Sequence, residues 1–368
     1  MLKDLQRNEF VGENLRIIRL FHGMSQPDVA QKLSVTRQYL NKIEGAKDYP
    51  SEEFSLALAD VFGVDVSYFY RVAGEEPRMD QVHFRKQRTA PQKFAHQAIA
   101  AITLFKKIVS FLDERYDFPA SNFPEIVPES SADIEKAAEV CREYWGISKN
   151  APIANLTDAV EANGSLVAHF QGVSEKVDAL STNEERPLIV RSSAKSSLYR
   201  LRFDIAHEIG HRVLHLGVDT GDKRTEAEAN RFASALLLPR HAFVNEFPRG
   251  NRIDWEIVFS LKMRWGVSAK AIIRRAFDLG IVDAVQYRRA HIHFSKTGQS
   301  KSERYDEIGE LEESKLLSDA LADLAEDEFE LQKFYDFTGL NSDTIAKLTG
   351  VKMPSVDHSA FSNVYFLR

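Results

Sequence analysis

Residues 203–215 read FDIAHEIGHRVLH and form the most informative stretch of the chain. His207 and His211 are four residues apart, so on a helix of 3.6 residues per turn they lie one above the other and can bind the same metal ion. Glu208 follows the first histidine, in the position from which a carboxylate takes a proton from a water at a catalytic metal. The stretch by itself fits two interpretations: a zinc-binding helix with Glu208 as the catalytic base, or a solvated or core helix that carries two histidines by chance. A third ligand at a suitable distance decides for the first.

A second predicted helix supplies the third ligand. Residues 225–239 read TEAEANRFASALLLP, which combines good helix formers with a proline at the end. Glu226 and Asn230 are four residues apart and share a face, so Glu226 is the predicted third ligand and Asn230 the residue that orients a ligand histidine. Glu228 is about 200° further round the helix, and only one of the two glutamates can face the metal.

His215 lies four residues after His211 on the same predicted face. It is about 12 Å along the helix axis from His207, too far for one zinc to bind all three histidines of a straight helix. We therefore interpret His215 as a supporting or structural residue.

The two runs resemble the ImmA/IrrE family of zinc-dependent peptidases, whose usual pattern is an HExxH helix followed by ExxAN-x-FA and an apolar segment that ends in proline. The resemblance extends over roughly residues 134–281. It implies one Zn²⁺ per chain bound by His207, His211 and Glu226, with Glu208 as the base that activates water. It also implies an α+β, zincin-like metallopeptidase domain, in which the HExxH helix packs on a small mixed sheet.

Three short strands are predicted between residues 166 and 192. An edge strand beside the metal-binding helix would let an extended peptide substrate pair with the sheet. The candidate for this edge is Leu188–Ser192.

Residues 10–70 are predicted to form five short helices. Ser25 and Thr36 are strong N-terminal caps for two of them, and Gly45 ends the second of these. Two short helices joined by a tight turn follow the helix-turn-helix plan, in which the second helix lies in the major groove of DNA.

This block resembles the XRE family of lambda-repressor-like DNA-binding domains, with MSQPDVAQKLSVTRQYLNKIEGAKDYPS as its central run. The alternative is a small helical bundle with charged, solvated faces. The residues predicted to contact double-stranded DNA are Gln26, Arg37, Gln38, Asn41 and Lys42.

The chain is thus predicted to be multidomain. Residues 1–72 form an all-α helix-turn-helix domain, residues 73–128 a basic and helical linker, residues 129–290 the peptidase domain, and residues 291–368 a mostly helical acidic region. A long helix over residues 95–116 could dock the domains together or mediate a homodimer.

Several charged residues outside these motifs are interpreted as solvated. They are Lys106 and Lys107 on the long linker helix and, in the helical part that follows the peptidase motifs, Arg264, Arg274 and Arg275.

Composition limits the remaining possibilities. The 368 residues are 43% hydrophobic and 28% charged, with a formal net charge of −6, which is ordinary for a globular protein. The only cysteine, Cys141, excludes a cysteine-based zinc site. Because no apolar run of membrane-spanning length and no signal peptide are recognised, we expect a cytoplasmic protein that does not enter a membrane.

The leading functional hypothesis is a DNA-binding regulatory zinc peptidase that cleaves a partner repressor, or itself, to control the genes of a stress response or a mobile element. The alternative is a non-proteolytic XRE-type or antitoxin-like regulator whose peptidase-like domain senses zinc or a ligand. A housekeeping protease is disfavoured because the DNA-binding module would then have no role.

Overall fold

The computed structural model describes residues 9–74, 76–77, 82–86, 92–170, 177–182, 186–192 and 197–355. The α-helices in chain order are α1 (Gly12–Phe21), α2 (Gln26–Lys32), α3 (Arg37–Glu44), α4 (Glu52–Phe62), α5 (Gln92–Asp113), α6 (Ser131–Tyr144), α7 (Leu156–Ala162), α8 (Leu198–Leu214), α9 (Lys223–Leu237), α10 (Arg240–Glu246), α11 (Trp255–Trp265), α12 (Ala269–Asp278), α13 (Ala284–Lys296), α14 (Leu316–Glu326), α15 (Glu328–Thr338) and α16 (Ser342–Thr349). A 3-10 helix, η1, spans Val66–Tyr70, and the strands are β1 (Val82–Lys86), β2 (Leu166–Phe170), β3 (Val177–Thr182) and β4 (Leu188–Ser192).

The N-terminal unit consists of α1 to α4 and η1. Ser25 and Asp28 form a reciprocal capping box at the start of α2. The hydroxyl of Thr36 accepts a hydrogen bond from the backbone N–H of Tyr39 at 3.2 Å, which caps α3, and Gly45 follows its last turn. The predicted helix-turn-helix arrangement is confirmed.

The described strands form one four-stranded sheet in the order β1-β3-β4-β2. β2 pairs with β4 in parallel, while β3 is antiparallel to both β4 and β1. The prediction that Leu188–Ser192 is an edge strand is wrong, because β4 is an inner strand. The edges are β2 and β1, and β1 comes from residues that were expected to be linker.

The two faces of the sheet bury different halves of the molecule. Because side chains alternate along a strand, Leu166 and Leu188 pack with the N-terminal unit, α5 and α14 to α16. Val167 and Ile189 point the other way and pack with α6 to α13. The sheet thus separates a first core, which contains the helix-turn-helix, from a second core, which contains α8.

Helix α5 is the central helix of the first core. By length and composition its Lys93–Asp113 segment could cross a membrane, contrary to the expectation from sequence, but 67% of the apolar window is buried inside the structure. The helix packs on α1, α15 and α16, and its Gln97 side chain donates a hydrogen bond to the carbonyl of Phe21 at 3.0 Å. Of the two roles considered for this helix, the structure shows the docking one.

The helices α14 to α16 return to the N-terminal unit. The backbone N–H of Asp65 donates to the carbonyl of Gly339 at 3.1 Å, and Val64 forms an isolated β-bridge with Leu340. The apolar side of α14, including Leu321, is buried in the first core. The acidic C-terminal region therefore completes the core beneath the helix-turn-helix.

Glu312 fixes the segment before α14 to the second core. Its carboxylate accepts hydrogen bonds from the backbone N–H groups of Leu156 and Thr157, both at 3.0 Å, so it caps α7 from a distant part of the chain. It also forms an ion pair with Arg202, and the two side chains are only 7% and 4% exposed. The ionic attraction and the hydrogen bonds to Glu312 offset the free energy that both charges lose when they are removed from water.

Arg275 departs from the sequence interpretation. It is fully buried and forms a two-pronged ion pair with Glu135, at 2.7 Å for each nitrogen–oxygen pair. It also donates to the carbonyl of Leu238 at 3.0 Å. The prediction of surface charge is therefore wrong for Arg275, whereas Arg264 and Arg274 are more than half exposed.

Candidate metal centre

Two helices, α8 and α9, carry the predicted ligands. The carboxylate of Asp222 accepts a hydrogen bond from the N–H of Thr225 at 2.7 Å, which caps α9 and places Glu226 in its first turn. The two helices pass each other at Gly210, where an added Cβ would lie 3.1 Å from both the Cα and the carbonyl oxygen of Ala229. The absence of a side chain at Gly210 therefore sets the distance between the ligands on the two helices.

The structure brings His207, His211 and Glu226 together, with one ligand atom from each within 4.8 Å of the others. The Nε2 atoms of the histidines are 3.1 Å apart. The Glu226 oxygens lie 3.4 Å from His207 Nε2 and 3.6 Å from His211 Nε2. Ligand atoms at zinc bond lengths in a tetrahedral site are about 3.3–3.5 Å apart, so this donor set fits zinc.

Asn230 orients the first histidine. Its Oδ1 lies 3.2 Å from Nδ1 of His207, and its Nδ2 donates to the carbonyl of Glu226 at 2.7 Å. Because the amide nitrogen is used in this way, the amide oxygen faces the imidazole and accepts its Nδ1 proton. Nε2 of His207 is then the candidate ligand atom of this side chain.

His215 and Glu228 orient the second histidine. Nδ1 of His211 lies 3.0 Å from Nδ1 of His215, whose Nε2 lies 2.8 Å from a carboxylate oxygen of Glu228. A proton on His211 Nδ1 and another on His215 Nε2 satisfy every contact in this chain of hydrogen bonds. Nε2 of His211 is thereby directed to the metal site.

Sequence reasoning missed the role of Glu228. The helical-wheel argument correctly kept it from facing the ligands directly, but it reaches the site through His215, which is buried. The available signal was an unassigned histidine one turn after the second ligand, together with an acidic residue on the following helix.

The pKa values of His211 and Glu226 suit metal binding. Burial lowers the pKa of His211 to about 4, against the opposing effect of Glu226. Burial acts to raise the pKa of Glu226, but hydrogen bonds and charges from the two ligand histidines outweigh it and leave that pKa lowered. At neutral pH the cluster therefore offers a neutral His211 imidazole and an ionised carboxylate, the forms that bind zinc.

Glu208 lies beside these ligands in the chain. It is 0% exposed, on the buried side of α8, and follows His207 directly. Such a position keeps the carboxylate out of bulk water. Its predicted role as the base stays a prediction.

The residues predicted to contact DNA form a separate surface on the N-terminal unit. Arg37, Gln38, Asn41 and Lys42 are all exposed on α3. Gln26 is partly buried, and its side-chain amide donates to Glu44 at 2.8 Å and to Asn41 at 3.3 Å.

The scaffold under this surface is a buried ion pair. Arg19 pairs with Glu44 in a fork, through contacts of 2.5 and 2.8 Å, and the two side chains are 9% and 6% exposed. Glu44 on α3 also accepts a hydrogen bond from Gln26 on α2. The carboxylate therefore links α3 to both α1 and α2.

Comparisons with known proteins support two separate modules. Residues 160–277 match the family model of the IrrE N-terminal-like domain, a peptidase family, and residues 15–69 match the helix-turn-helix family model. The first match contains α8 and α9, begins later than the resemblance seen in the sequence, and ends close to its predicted limit. The second contains α2 and α3.

A curated relative supports the N-terminal assignment. An uncharacterized HTH-type transcriptional regulator of Rickettsia prowazekii is 28% identical over 81 residues, which are 22% of this chain and 62% of that protein. The chain thus resembles helix-turn-helix proteins over residues 15–69 and IrrE-like peptidase domains over residues 160–277, and it spans less than two thirds of the relative that it matches.

Proposed function

We propose that this protein is a cytoplasmic, DNA-bound regulatory zinc peptidase that hydrolyses a peptide bond in a partner repressor. The observation that carries the proposal is the cluster of His207, His211 and Glu226 at the spacing that zinc requires. Asn230 orients one of the histidines, and Glu208 directly follows His207 in the chain. A site that only stored or sensed zinc would need the ligands but would not need Glu208.

The chain's own residues would act as follows. His207, His211 and Glu226 would hold Zn²⁺, which when bound lowers the pKa of a water towards 7 and polarises a carbonyl oxygen. Glu208 accepts the proton that the attacking water loses, and then donates it to the nitrogen of the leaving amine. Asn230 and the pair of His215 and Glu228 keep the two imidazoles in the orientation that this reaction needs.

The helix-turn-helix unit suggests where the substrate is found. A peptidase held on DNA through α3 meets other proteins bound to nearby operators at high local concentration. A repressor-type regulator is therefore the proposed substrate.

The test is a combined measurement of metal content and cleavage. The wild-type chain and Glu208→Gln are purified, their zinc is quantified, and each is incubated with zinc alone and with repressor-type proteins encoded nearby; fragments are mapped by mass. We expect about one zinc per chain in both, with cleavage by the wild type only.

Glu226→Gln is the matched control for this experiment, because it should lose zinc as well as cleavage. If Glu208→Gln cleaves as fast as the wild type, the assigned base is wrong. A wild-type chain without zinc would remove the basis of the proposal.

The second candidate is a non-proteolytic regulator whose peptidase-like domain senses zinc. The observation in its favour is the depth of the site, since His207 and His211 are at most 1% exposed. It predicts that zinc changes the affinity of the chain for DNA equally in the wild type and Glu208→Gln, with no fragments from either. The peptidase proposal predicts a difference between these two variants.

DNA binding is tested separately. Selection from random duplex DNA identifies a preferred sequence, on which Gln38→Ala and Asn41→Ala should each weaken binding by about 1–3 kcal/mol if they contact base edges. Glu53→Ala, on another helix of the same unit, serves as the control. Equal effects of all three changes would contradict the assignment of α3.

A further inference from the structure

We propose that the outer edge of β3 is the docking surface for an extended peptide substrate, and that β1 of the same chain occupies and closes it. This inference rests on the proposed peptidase function, because it assigns the surface on which a scissile peptide would lie. It also names the substrate class, an unstructured protein segment that can add to a sheet as a strand.

The position of β1 is that of an added strand. Its residues Val82, His83, Phe84 and Arg85 pair with Thr182, Ser181, Leu180 and Ala179 in an antiparallel ladder, and the register shifts before Lys86. Recognition by strand addition uses the same main-chain hydrogen bonds between an extended peptide and an exposed sheet edge. The chain thus already makes, within itself, the contact that a substrate would make.

The metal-binding helix lies over the neighbouring strands. Helix α8 packs on β3 and β4, so a chain paired to the outer edge of β3 is the neighbour of a strand that α8 covers. A peptide added to the outer edge of β1 would lie one strand spacing further from α8, about 4.8 Å. The place that β1 occupies is therefore the better one for a scissile bond.

The connection of β1 explains why it is suited to leave. The ladder with β3 is only five residues long and contains an irregularity, features of weak sheet edges. The strand belongs to the segment that joins η1 to α5, between the DNA-binding unit and the helix that docks it. A rearrangement of that junction would release β1 and open the edge of β3.

The test locks the strand in place in the zinc-loaded, full-length chain. His83→Cys with Ser181→Cys places a disulfide between directly opposed residues, and Phe84→Cys with Leu180→Cys does so at the adjacent pair. One of the two pairs is of the close, non-hydrogen-bonded kind that a disulfide can span. The natural Cys141 is buried and will not compete.

Two properties of each double-cysteine variant are measured, first with the disulfide formed and then after its reduction. The first is the affinity for a fluorescein-labelled peptide of residues 80–88, DQVHFRKQR, measured by anisotropy. The second is cleavage of β-casein, an unstructured protein. We expect the oxidised form to bind the peptide at least tenfold more weakly than the reduced form and to cleave proportionally more slowly.

Proline substitutions test the opposite effect, because they weaken the pairing of β1 with β3 where the disulfides strengthen it. In an antiparallel ladder only alternate residues direct their N–H towards the partner strand. One of His83→Pro and Phe84→Pro therefore removes a hydrogen bond to β3 and should tighten peptide binding about fivefold, while the other should have little effect.

Each outcome decides something. Equal peptide binding by oxidised and reduced forms, with no difference between the two proline variants, overturns the inference. Cleavage that is present but independent of the lock leaves the peptidase proposal standing and removes this one. Lock-dependent peptide binding without any cleavage supports the docking surface and counts against the peptidase.

Discussion

Replacing Gly210 with alanine should weaken zinc binding far more than it weakens the fold. The new Cβ would lie 3.1 Å from the Cα and the carbonyl oxygen of Ala229 and 3.2 Å from a ring carbon of Phe232. Ordinary carbon contacts are about 3.5–4.0 Å. Two of the three obstacles belong to the α9 backbone, so α9 must move away from α8 by a few tenths of an ångström.

The effects on stability nearly cancel. Overpacking of this kind costs about 1–3 kcal/mol, whereas alanine in place of glycine inside a helix stabilises it by about 1 kcal/mol. We therefore expect the free energy of unfolding of the metal-free chain to fall by about 0–2 kcal/mol.

The metal site is less tolerant. The proposed ligands His207 and His211 lie on α8 and Glu226 lies on α9, so the movement changes the separations between the proposed ligand atoms directly. Metal–ligand distances are acceptable only within about 0.2 Å, and disturbed support of a ligand lowers metal affinity by about 10- to 100-fold. We expect a loss of this size in the variant.

The assays are zinc competition against a fluorescent chelator and urea unfolding of the metal-free chain. Gly210→Ser gives a second point, because a larger side chain should lower zinc affinity further. Unchanged zinc affinity together with a loss of stability above about 3 kcal/mol would show that the interhelical distance does not control the site, and would refute the reasoning.

Three further predictions concern supporting residues. Glu228→Gln leaves the three ligands intact but weakens the acceptor for His215, so zinc affinity should fall about tenfold with metal-free stability unchanged; an unaltered affinity would remove Glu228 from the site. Glu312→Gln removes the charge partner of the buried Arg202 and should lower the free energy of unfolding by about 3–5 kcal/mol, measured in urea; an effect below 1 kcal/mol would show the pair to be hydrated. Burial and the charge of Arg71 lower the pKa of Lys107 to about 8. The unfolded chain therefore binds more protons between about pH 8 and 10.5, and stability rises with pH across that window. Lys107→Met should stabilise the chain by about 1–2 kcal/mol at pH 7, with the gain disappearing towards pH 10.5; a gain that does not depend on pH would exclude this cause.

Lys107 also shows a limit of sequence reasoning. The sequence indicates a solvated side chain, yet its ammonium group lies 5.6 Å from the ring centre of Tyr68, and the side chain is partly buried. Periodicity identifies the apolar face of a helix, but a helix covered on several sides also buries charged residues at its margins. Arg275 was misjudged for the same reason, since its partner Glu135 is 140 residues away in the sequence.

Local patterns predicted the features that depend on local geometry. The spacing of His207 and His211 on one helix and of Glu226 and Asn230 on the next follows from 3.6 residues per turn, and the caps at Ser25 and Thr36 follow from side-chain chemistry. The structure places all of these residues as their patterns suggest.

The order of strands was not predictable in this way. The position of β4 depends on which strands flank it, and β1 contributes five residues from a segment without a clear alternating pattern. Pairing between β1 and β3 joins residues that are 91 to 100 positions apart, from Lys86 with Val177 to Val82 with Thr182. Long-range contacts of this kind are set by tertiary packing and not by local propensity.

The shared first core bears on whether cleavage acts in cis or in trans. A cut in the segment between η1 and α5 would break the chain but would not free the DNA-binding unit. That unit would still be held by α5, through packing and the bond from Gln97 to Phe21. It would also be held by the C-terminal helices, through Asp65 and Gly339 and the buried apolar residues of α14 to α16. Release of the helix-turn-helix would require the whole core to open, at a cost comparable to unfolding. Under the proposed peptidase function, cleavage of a separate repressor would need no such opening, so the architecture would favour a substrate in trans.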